Sequence, residues 1–437
     1  MCKKSSVCVI HHGHPANIPH YVASSELIDQ YSGKTKTTTH SSRRDSEAAT
    51  PRVLSRTFLL LGEQGLHIKR LAHLPRCTRD LNPDPLWMFQ PRPCGCKGQR
   101  TCLLCEKEMG EQVMPSWVTQ SQKEHAIVYC PECDLAWPGW DTNTWKCHPN
   151  HQGEGTVFPG VKIIQNFISE EEERTLMDSI DEVPWDLSQS GRRKQNYGPK
   201  CNFKKRRVRC NTFSGYPAFT KYIQNRFASV DILHSFQTVE QCSLEYSPER
   251  GASIDPHIDD CWIWGERIPT LSLLLDSTLT LRKFNGPETK YNLLDRKTYP
   301  SQVGEDGSVK GYDTLSKDYA KLQTQTDNMQ AADSAEEKYS SLMTQPTRCS
   351  MPDVVRVPMP RRSLLVLYGP PRYDWEHGIL REDIPSRRVC ITYRELTPTY
   401  LPCGPKAEVG EAILQAGKVF WDHRSYYSLD QEGTVVT

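Results

Sequence analysis

The chain has 437 residues, with 54 lysines plus arginines against 53 aspartates plus glutamates and a formal net charge of +1, so global charge favours neither nucleic acid nor a membrane surface and any steering is regional. Only 37% of residues are hydrophobic and the mean hydropathy is −0.62, which excludes a chain that forms core throughout its length. There is no run of about eighteen apolar residues and no apolar signal core at the N-terminus, so a soluble intracellular protein is expected, its seventeen cysteines serving as thiols or metal ligands rather than as a disulfide framework.

Residues 1–90 are rich in Ser, Thr, His, Arg and Pro, with one apolar patch, FLLLG at 58–62, and are expected to be a disordered extension. Residues 91–151 form a Cys-rich segment. Within it, Cys94-x-Cys96-x5-Cys102-x2-Cys105 sets four thiolates inside twelve residues, enough for tetrahedral zinc. Cys130-x2-Cys133 followed by Cys147-His148 is either a second metal site or a coincidence in a linker.

From Phe158 the pattern becomes globular. Ser169 and Glu172 make a capping box ahead of Leu176, Met177, Ile180 and Val183 at helical spacing. The stretch 191–210 carries nine Lys or Arg residues around Tyr197 and Phe203, which suits a nucleic-acid groove, an acidic protein surface or a solvated hairpin flank. Phe219, Tyr222, Ile223, Phe227 and Val230 predict a second helix. Strands are predicted at 238–246, 269–275, 361–369 and 387–396, with a polar insertion at about 282–352 too poor in apolar residues to be core, and a partly helical tail at 399–437.

The stretch ASIDPHIDDCWIWGERI contains His257-Ile-Asp259. With fourteen histidines in the chain, about one His-x-Asp is expected by chance from average Asp usage, so the tripeptide decides nothing by itself. Two His and one carboxylate on one face of an octahedron hold Fe(II) with positions open for co-substrate and oxygen, and residues two apart on a strand share a face. Downstream, His377 in WEHGI follows a predicted strand, and His423 in WDHRSYY is the weaker third ligand. In RRVCITYREL, period two places Arg388, Cys390, Thr392 and Arg394 opposite an apolar face of Val389, Ile391 and Tyr393. That arrangement fits either a surface edge strand or a carboxylate-binding wall, to which arginine's planar fork is suited.

The order His257-x-Asp259, His377, Arg388-x5-Arg394 resembles the AlkB-type 2-oxoglutarate and Fe(II)-dependent dioxygenases. CGCKGQRTCLLCE, SQSGRRKQNYGPKCNF, EQCSLEYSPERGASIDPHIDDCWIWGERI, RRSLLVLYG and RRVCITYREL carry the resemblance, over about 94–105, 157–280 and 358–398. It implies a mainly β, α+β fold with a double-stranded β-helix (jelly-roll) core over 157–398, preceded by the small Cys-rich segment. It also implies iron on His257, Asp259 and His377, and 2-oxoglutarate on Arg388, Arg394 and Tyr246. The substrate opening would lie near Arg192, Arg193, Lys194 and Tyr197, with Trp262 and Trp264 either lining the approach or buried as core. Two positions depart from the family pattern: Leu244 and Cys390 stand where asparagines are expected.

The implied activity is oxidative N-demethylation that releases formaldehyde, succinate and carbon dioxide. The substrate would be monomethyl-lysine on actin, tying the protein to actomyosin and cytokinesis, in cytoplasm and nucleus and at the contractile ring or midbody. N6-methyladenine in DNA is the alternative substrate. A zinc-stabilised interaction protein with a degenerate dioxygenase core is the alternative of another class, suggested by Leu244 and Cys390 and opposed by the intact triad.

Overall fold

A computed structural model describes residues 92, 94–97, 100–110, 112–113, 115–304, 307–332 and 352–422. The extension expected over 1–90 and the candidate His423 lie outside the described residues.

Two seven-stranded sheets form the body. The first runs, in spatial order, Ile254–His257, Trp375–Ile379, Ser277–Lys283, Val354–Met359, Ile127–Cys130, Leu135–Pro138 and Thr156–Val157. The second runs Val161–Ile164, Leu364–Leu367, Ile268–Leu273, Arg388–Arg394, Glu240–Tyr246, Arg193–Tyr197 and Asp186–Leu187. Neighbours that are distant in sequence pair antiparallel, as in a jelly roll, except for the parallel pair Ile127–Cys130 and Val354–Met359.

The period of two in each strand sorts its side chains between two cores. Leu365, Leu367, Tyr246 and Cys390 of the second sheet meet Leu279, Leu281, Val355 and Val357 of the first. Leu364, Val366, Val389, Ile391 and Tyr393 point the other way, into a layer closed by Leu176, Met177, Ile180, Ile223 and Phe227. Full burial of such side chains contributes roughly 1.5–3 kcal/mol each.

The first covering helix, Glu170–Glu182, starts on the predicted capping box, with Ser169 Oγ accepting from Glu172 N at 3.1 Å and Glu172 accepting from Ser169 N at 2.7 Å. The second is shorter than predicted: Lys221–Arg226 is α-helical, with single 3-10 turns on either side. Thr220 at its start donates its hydroxyl to Pro217 O at 2.8 Å, so the side chain caps nothing.

Three further segments join this body. The Cys-rich segment contributes the hairpin Ile127–Cys130/Leu135–Pro138, which extends the first sheet. The polar insertion corrects an expectation, because it does contribute core: Tyr299, Val303, Leu315 and Tyr319 are buried, and Tyr291 and Leu293 lie against Ile258, Cys261 and Tyr373. Its apolar residues are sparse, and they dock on core that already exists. The tail adds helix Ala407–Ala416 and a short strand, Phe420–Trp421, parallel to Tyr216–Pro217. Among the described residues no helix is long and apolar enough to cross a membrane.

Candidate metal centre

His257 ends its strand, and His377 sits in the middle of Trp375–Ile379, a strand that the sequence pattern did not reveal. The two histidines are direct cross-strand partners, which brings their rings to 4.4 Å between centroids. Gly378 permits this approach: a Cβ there would lie 2.8 Å from Ile254 O and 2.7 Å from Trp117 Cζ2. Asp259 lies two residues past the end of its strand, not on the strand face as expected, and it arrives by a turn. Ligand atoms of His257, Asp259 and His377 all fall within 4.8 Å of one another.

The electrostatics favour the ligating forms. Burial lowers the pKa of His257, and burial together with the neighbouring His257 pushes His377 down to about 3, so both imidazoles are neutral. His257 Nδ1 lies 2.8 Å from Asp255 O, and an N–H donated there leaves Nε2 with its lone pair free. Burial alone would raise the Asp259 carboxyl, but Arg394 and the surrounding groups outweigh it and hold the carboxyl well below the usual carboxylate range. Asp259 Oδ2 and His377 Nδ1 are buried without a hydrogen-bond partner among the described residues. A buried carboxylate oxygen with no donor beside two neutral imidazoles suits Fe(II), so the residues present fit the ion.

The cavity next to this cluster is lined by Tyr246, Thr270, Thr392, Arg388 and Arg394 among apolar Leu244, Leu279, Met359, Leu365, Leu367 and Cys390. The same-face reading of Arg388 through Arg394 therefore describes an interior wall, not a solvated edge. The two arginines differ. Arg388 is 1% exposed and stacks 5.0 Å over Tyr246; among the described residues its side chain donates to Met359 Sδ at 3.5 Å, and its buried Nε and Nη1 have no partner. A buried guanidinium with no carboxylate among the described residues is fitted to bind an anionic ligand, and the dicarboxylate 2-oxoglutarate meets that need. Arg394 instead ion-pairs with Glu240 and with Asp259, the latter at 2.8 Å. Burial pushes the Tyr246 hydroxyl up to about 12, which keeps it a neutral donor.

Leu244 and Cys390, the two departures, are cross-strand partners in register and both line the cavity. Two expected amides are thus replaced together by one apolar contact. Replacing both partners leaves no amide half-satisfied, which would be the costly outcome.

The remaining candidates are dispersed. Arg193 is held by Glu245, with Nη2 to Oε1 at 2.7 Å, and Glu245 also receives Arg250 and Arg387. Arg192 is buried, donates to Gln189 O at 3.2 Å, and its charge reaches both Tyr246 and His257. Lys194 is half-buried opposite Leu244, and Tyr197 meets Trp421 edge-on at 5.9 Å. Trp262 and Trp264 are buried with Tyr400 and Leu396, so they are core and not lining. The exposed basic surface is instead the hairpin Lys200–Asn202/Arg207–Arg209, with Phe203 at its tip 47% exposed.

Several site residues escaped the sequence reading. Arg372, fully buried, donates to Gly265 O and Trp264 O, each at 3.1 Å, and so holds the loop after Asp259. Glu376, beside His377, gathers Arg282 and Lys290 and accepts from Tyr291 at 2.6 Å, which makes the insertion a wall of the opening. Nothing in their spacing signals these contacts, because each joins residues from separate strands or loops.

Cys94, Cys96, Cys102 and Cys105 do converge, with sulfurs within 4.8 Å of one another, a set that could hold zinc. The segment is tied beside the His257 strand by Arg100–Asp255 at 2.9 Å and Glu106–Arg381 at 2.9 Å. In the second candidate set Cys147 is exposed and stands outside the group; His151 takes its place beside Cys130, Cys133 and His148.

Comparison with proteins of known identity defines the class. The human alpha-ketoglutarate-dependent dioxygenase alkB homolog 4 is 37% identical over 75% of this chain and 94% of its own length. The mouse protein of the same name is 38% identical over the same shares. A Caenorhabditis elegans protein named DNA N6-methyl adenine demethylase is 29% identical, again over 75% of this chain and 94% of its length. No profile of a known protein family matches. A solved structure, that of OsALKBH1, aligns with 55% of this chain and 98% of its own at 8% identity and a TM-score of 0.29. The enzyme is a 2-oxoglutarate-dependent dioxygenase that uses Fe(II). Within that class, the chain belongs to the AlkB homolog 4 family.

Proposed function

We propose that His257, Asp259 and His377 hold Fe(II), that Arg388 and Tyr246 bind 2-oxoglutarate, and that the enzyme removes N-methyl groups oxidatively. The observation that carries this reading is Arg388, a buried cation lacking a carboxylate partner in the cavity that His257 and His377 also line. Bound Fe(II) with 2-oxoglutarate supplies the activation of oxygen. The chain's own residues do the positioning. Arg388 and the neutral Tyr246 hydroxyl anchor the co-substrate carboxylate, Arg394 orients Asp259, and the Leu244–Cys390 wall keeps water from the reacting face.

The first substrate is monomethyl-lysine on actin, which rests on the sequence resemblance, the names of the human and mouse relatives giving the dioxygenase class and no substrate. N6-methyladenine in DNA is the second, favoured by the name of the worm relative and by the exposed basic hairpin carrying Lys204, Lys205, Arg207 and Arg209 around Phe203. Cytoplasm and nucleus, including the contractile ring or midbody, are the places the actin reading implies.

The test is formaldehyde and succinate release with Fe(II) and 2-oxoglutarate, comparing a methyl-lysine actin peptide with a methyladenine oligonucleotide. Turnover of the peptide, abolished in His257→Ala, is expected. Turnover of the oligonucleotide alone overturns the actin assignment, and no turnover of either above the His257→Ala background overturns demethylation.

A further inference from the structure

We propose that Cys130, Cys133, His148 and His151 bind a structural zinc ion separate from the dioxygenase centre. Cys130 ends a strand and Cys133 sits in the following turn, which Asp134 N→Cys130 O at 3.0 Å and Tyr129 Oη→Asp134 Oδ1 at 2.7 Å hold in place. His148 and His151 return from the loop beyond the 3-10 helix Thr142–Cys147. Cys130 Sγ lies 3.9 Å from His148 Nδ1, Cys133 Sγ lies 3.9 Å from His151 Nε2, and all four ligand atoms are within 4.8 Å of one another. Zn–S bonds of about 2.3 Å and Zn–N bonds of about 2.0–2.1 Å at tetrahedral angles put S and N roughly 3.6 Å apart, so these two S···N pairs already stand within a few tenths of an ångström of zinc spacing, and the remaining pairs, all inside 4.8 Å, close by about an ångström at most.

Trp137 already supports two of the four ligands. Trp137 Nε1 donates to Cys133 Sγ at 3.4 Å, and the same indole stacks on His151 at 4.6 Å between centroids with the planes 21° apart. An N–H donated to sulfur stabilises a thiolate, and a stacked ring fixes an imidazole, which are the two supports that metal ligands receive. Two sulfurs and two imidazoles select zinc over the oxygen-seeking cations, and four protein ligands leave no open position, so the role is structural.

The site is remote from His377. Strands Ser277–Lys283 and Val354–Met359 intervene before Ile127–Cys130, a separation of roughly 14 Å at about 4.8 Å per strand. What the metal joins is a strand end, a turn and a mostly exposed loop that otherwise meets the sheet through contacts such as Thr142–Thr278 at 3.0 Å and Lys146–Asp276 at 3.2 Å.

Cys147, exposed and outside the cluster, is a built-in free-thiol reference. The native full-length protein is alkylated briefly and the labelled cysteines are mapped by mass spectrometry, with and without a zinc chelator. The expected result is labelling of Cys147 in both conditions and of Cys133 only after chelation. In parallel, His151→Ala loses one equivalent of zinc per chain relative to the parent, and His151→Cys retains it. Labelling of Cys133 at the rate of Cys147 in the native protein, or no labelling of Cys133 after chelation, overturns the proposal. So does a Cys130–Cys133 disulfide, or an unchanged zinc content in folded His151→Ala. The labelling arm decides even if a variant does not fold.

Discussion

Arg394 donates to Asp259 across 2.8 Å while its other terminal nitrogen pairs with Glu240, so the carboxylate of the candidate metal triad is aimed by a guanidinium fixed from the opposite sheet. Lysine keeps the charge at this position but cannot span both carboxylates. Arg394→Lys is expected to weaken metal affinity by about ten- to a hundred-fold, the usual range when a side chain that orients a metal ligand is lost. Titration of the metal-free protein with Mn(II) checks this, and unchanged affinity removes the positioning role.

Arg388 predicts a different phenotype. It touches none of the three triad residues by hydrogen bond and its unsatisfied nitrogens face the cavity. Arg388→Ala should raise the KM for 2-oxoglutarate roughly ten- to a hundred-fold, the worth of a charged hydrogen-bonded contact, with Mn(II) affinity unchanged. Metal loss equal to that of His257→Ala would sink the assignment.

Gly378 is a steric prediction. A methyl group there would meet Ile254 O at 2.8 Å and Pro256 N at 3.3 Å, forcing the His257 strand away from its partner. Gly378→Ala should cost about 1–3 kcal/mol, as overpacking does, and lower Tm by about 2–4 °C per kcal/mol, with metal affinity falling in parallel. Calorimetry together with the metal titration is the check, and a variant as stable and as metal-binding as the parent contradicts it.

Glu245 sets an acid limit. Burial alone would raise its carboxyl, but Arg193 and Arg387, with Arg250 beside them, bring it down to about 2 from 4.5. Because the folded pKa lies below the unfolded one, the stabilisation is fully present above pH 4.5 and is lost as pH falls from there through about 2. Glu245→Gln leaves three arginines around a neutral amide and should cost about 3–5 kcal/mol at neutral pH. It should also flatten the acid side of the stability profile, which denaturation in urea between pH 2 and 7 measures. An unaltered profile contradicts this account of Glu245.

What could be read from the sequence was whatever depends on local period. The capping box at Ser169 and the alternation of Val389, Ile391 and Tyr393 against Arg388, Cys390, Thr392 and Arg394 are each confined to one element, whereas the His257–Asp259 pair was legible as neighbours in sequence although Asp259 lies beyond the strand. The strand carrying His377 was missed because WEHGI shows no clean alternation: Trp375, Glu376, Gly378 and Ile379 are all buried between neighbouring strands. The second metal cluster was seen with the wrong partner, since Cys147 is adjacent in sequence while His151 is adjacent in space. Glu376, Arg372 and the Leu244–Cys390 pairing depend on register between strands, which spacing along one strand does not encode.

The insertion leaves and rejoins the first sheet at neighbouring points, Lys283 N donating to Asp353 O at 2.9 Å. The ends of the insertion are therefore pinned by the sheet, and among the described residues Lys290 and Tyr291 reach the opening. The entropy of closing such a loop grows only logarithmically, by about 0.6 kcal/mol for each doubling of its length. With its ends pinned and Tyr299, Val303, Leu315 and Tyr319 docked on the core, the insertion's length is separated from the geometry around His257 and His377, which is anchored by the residues nearest the sheet.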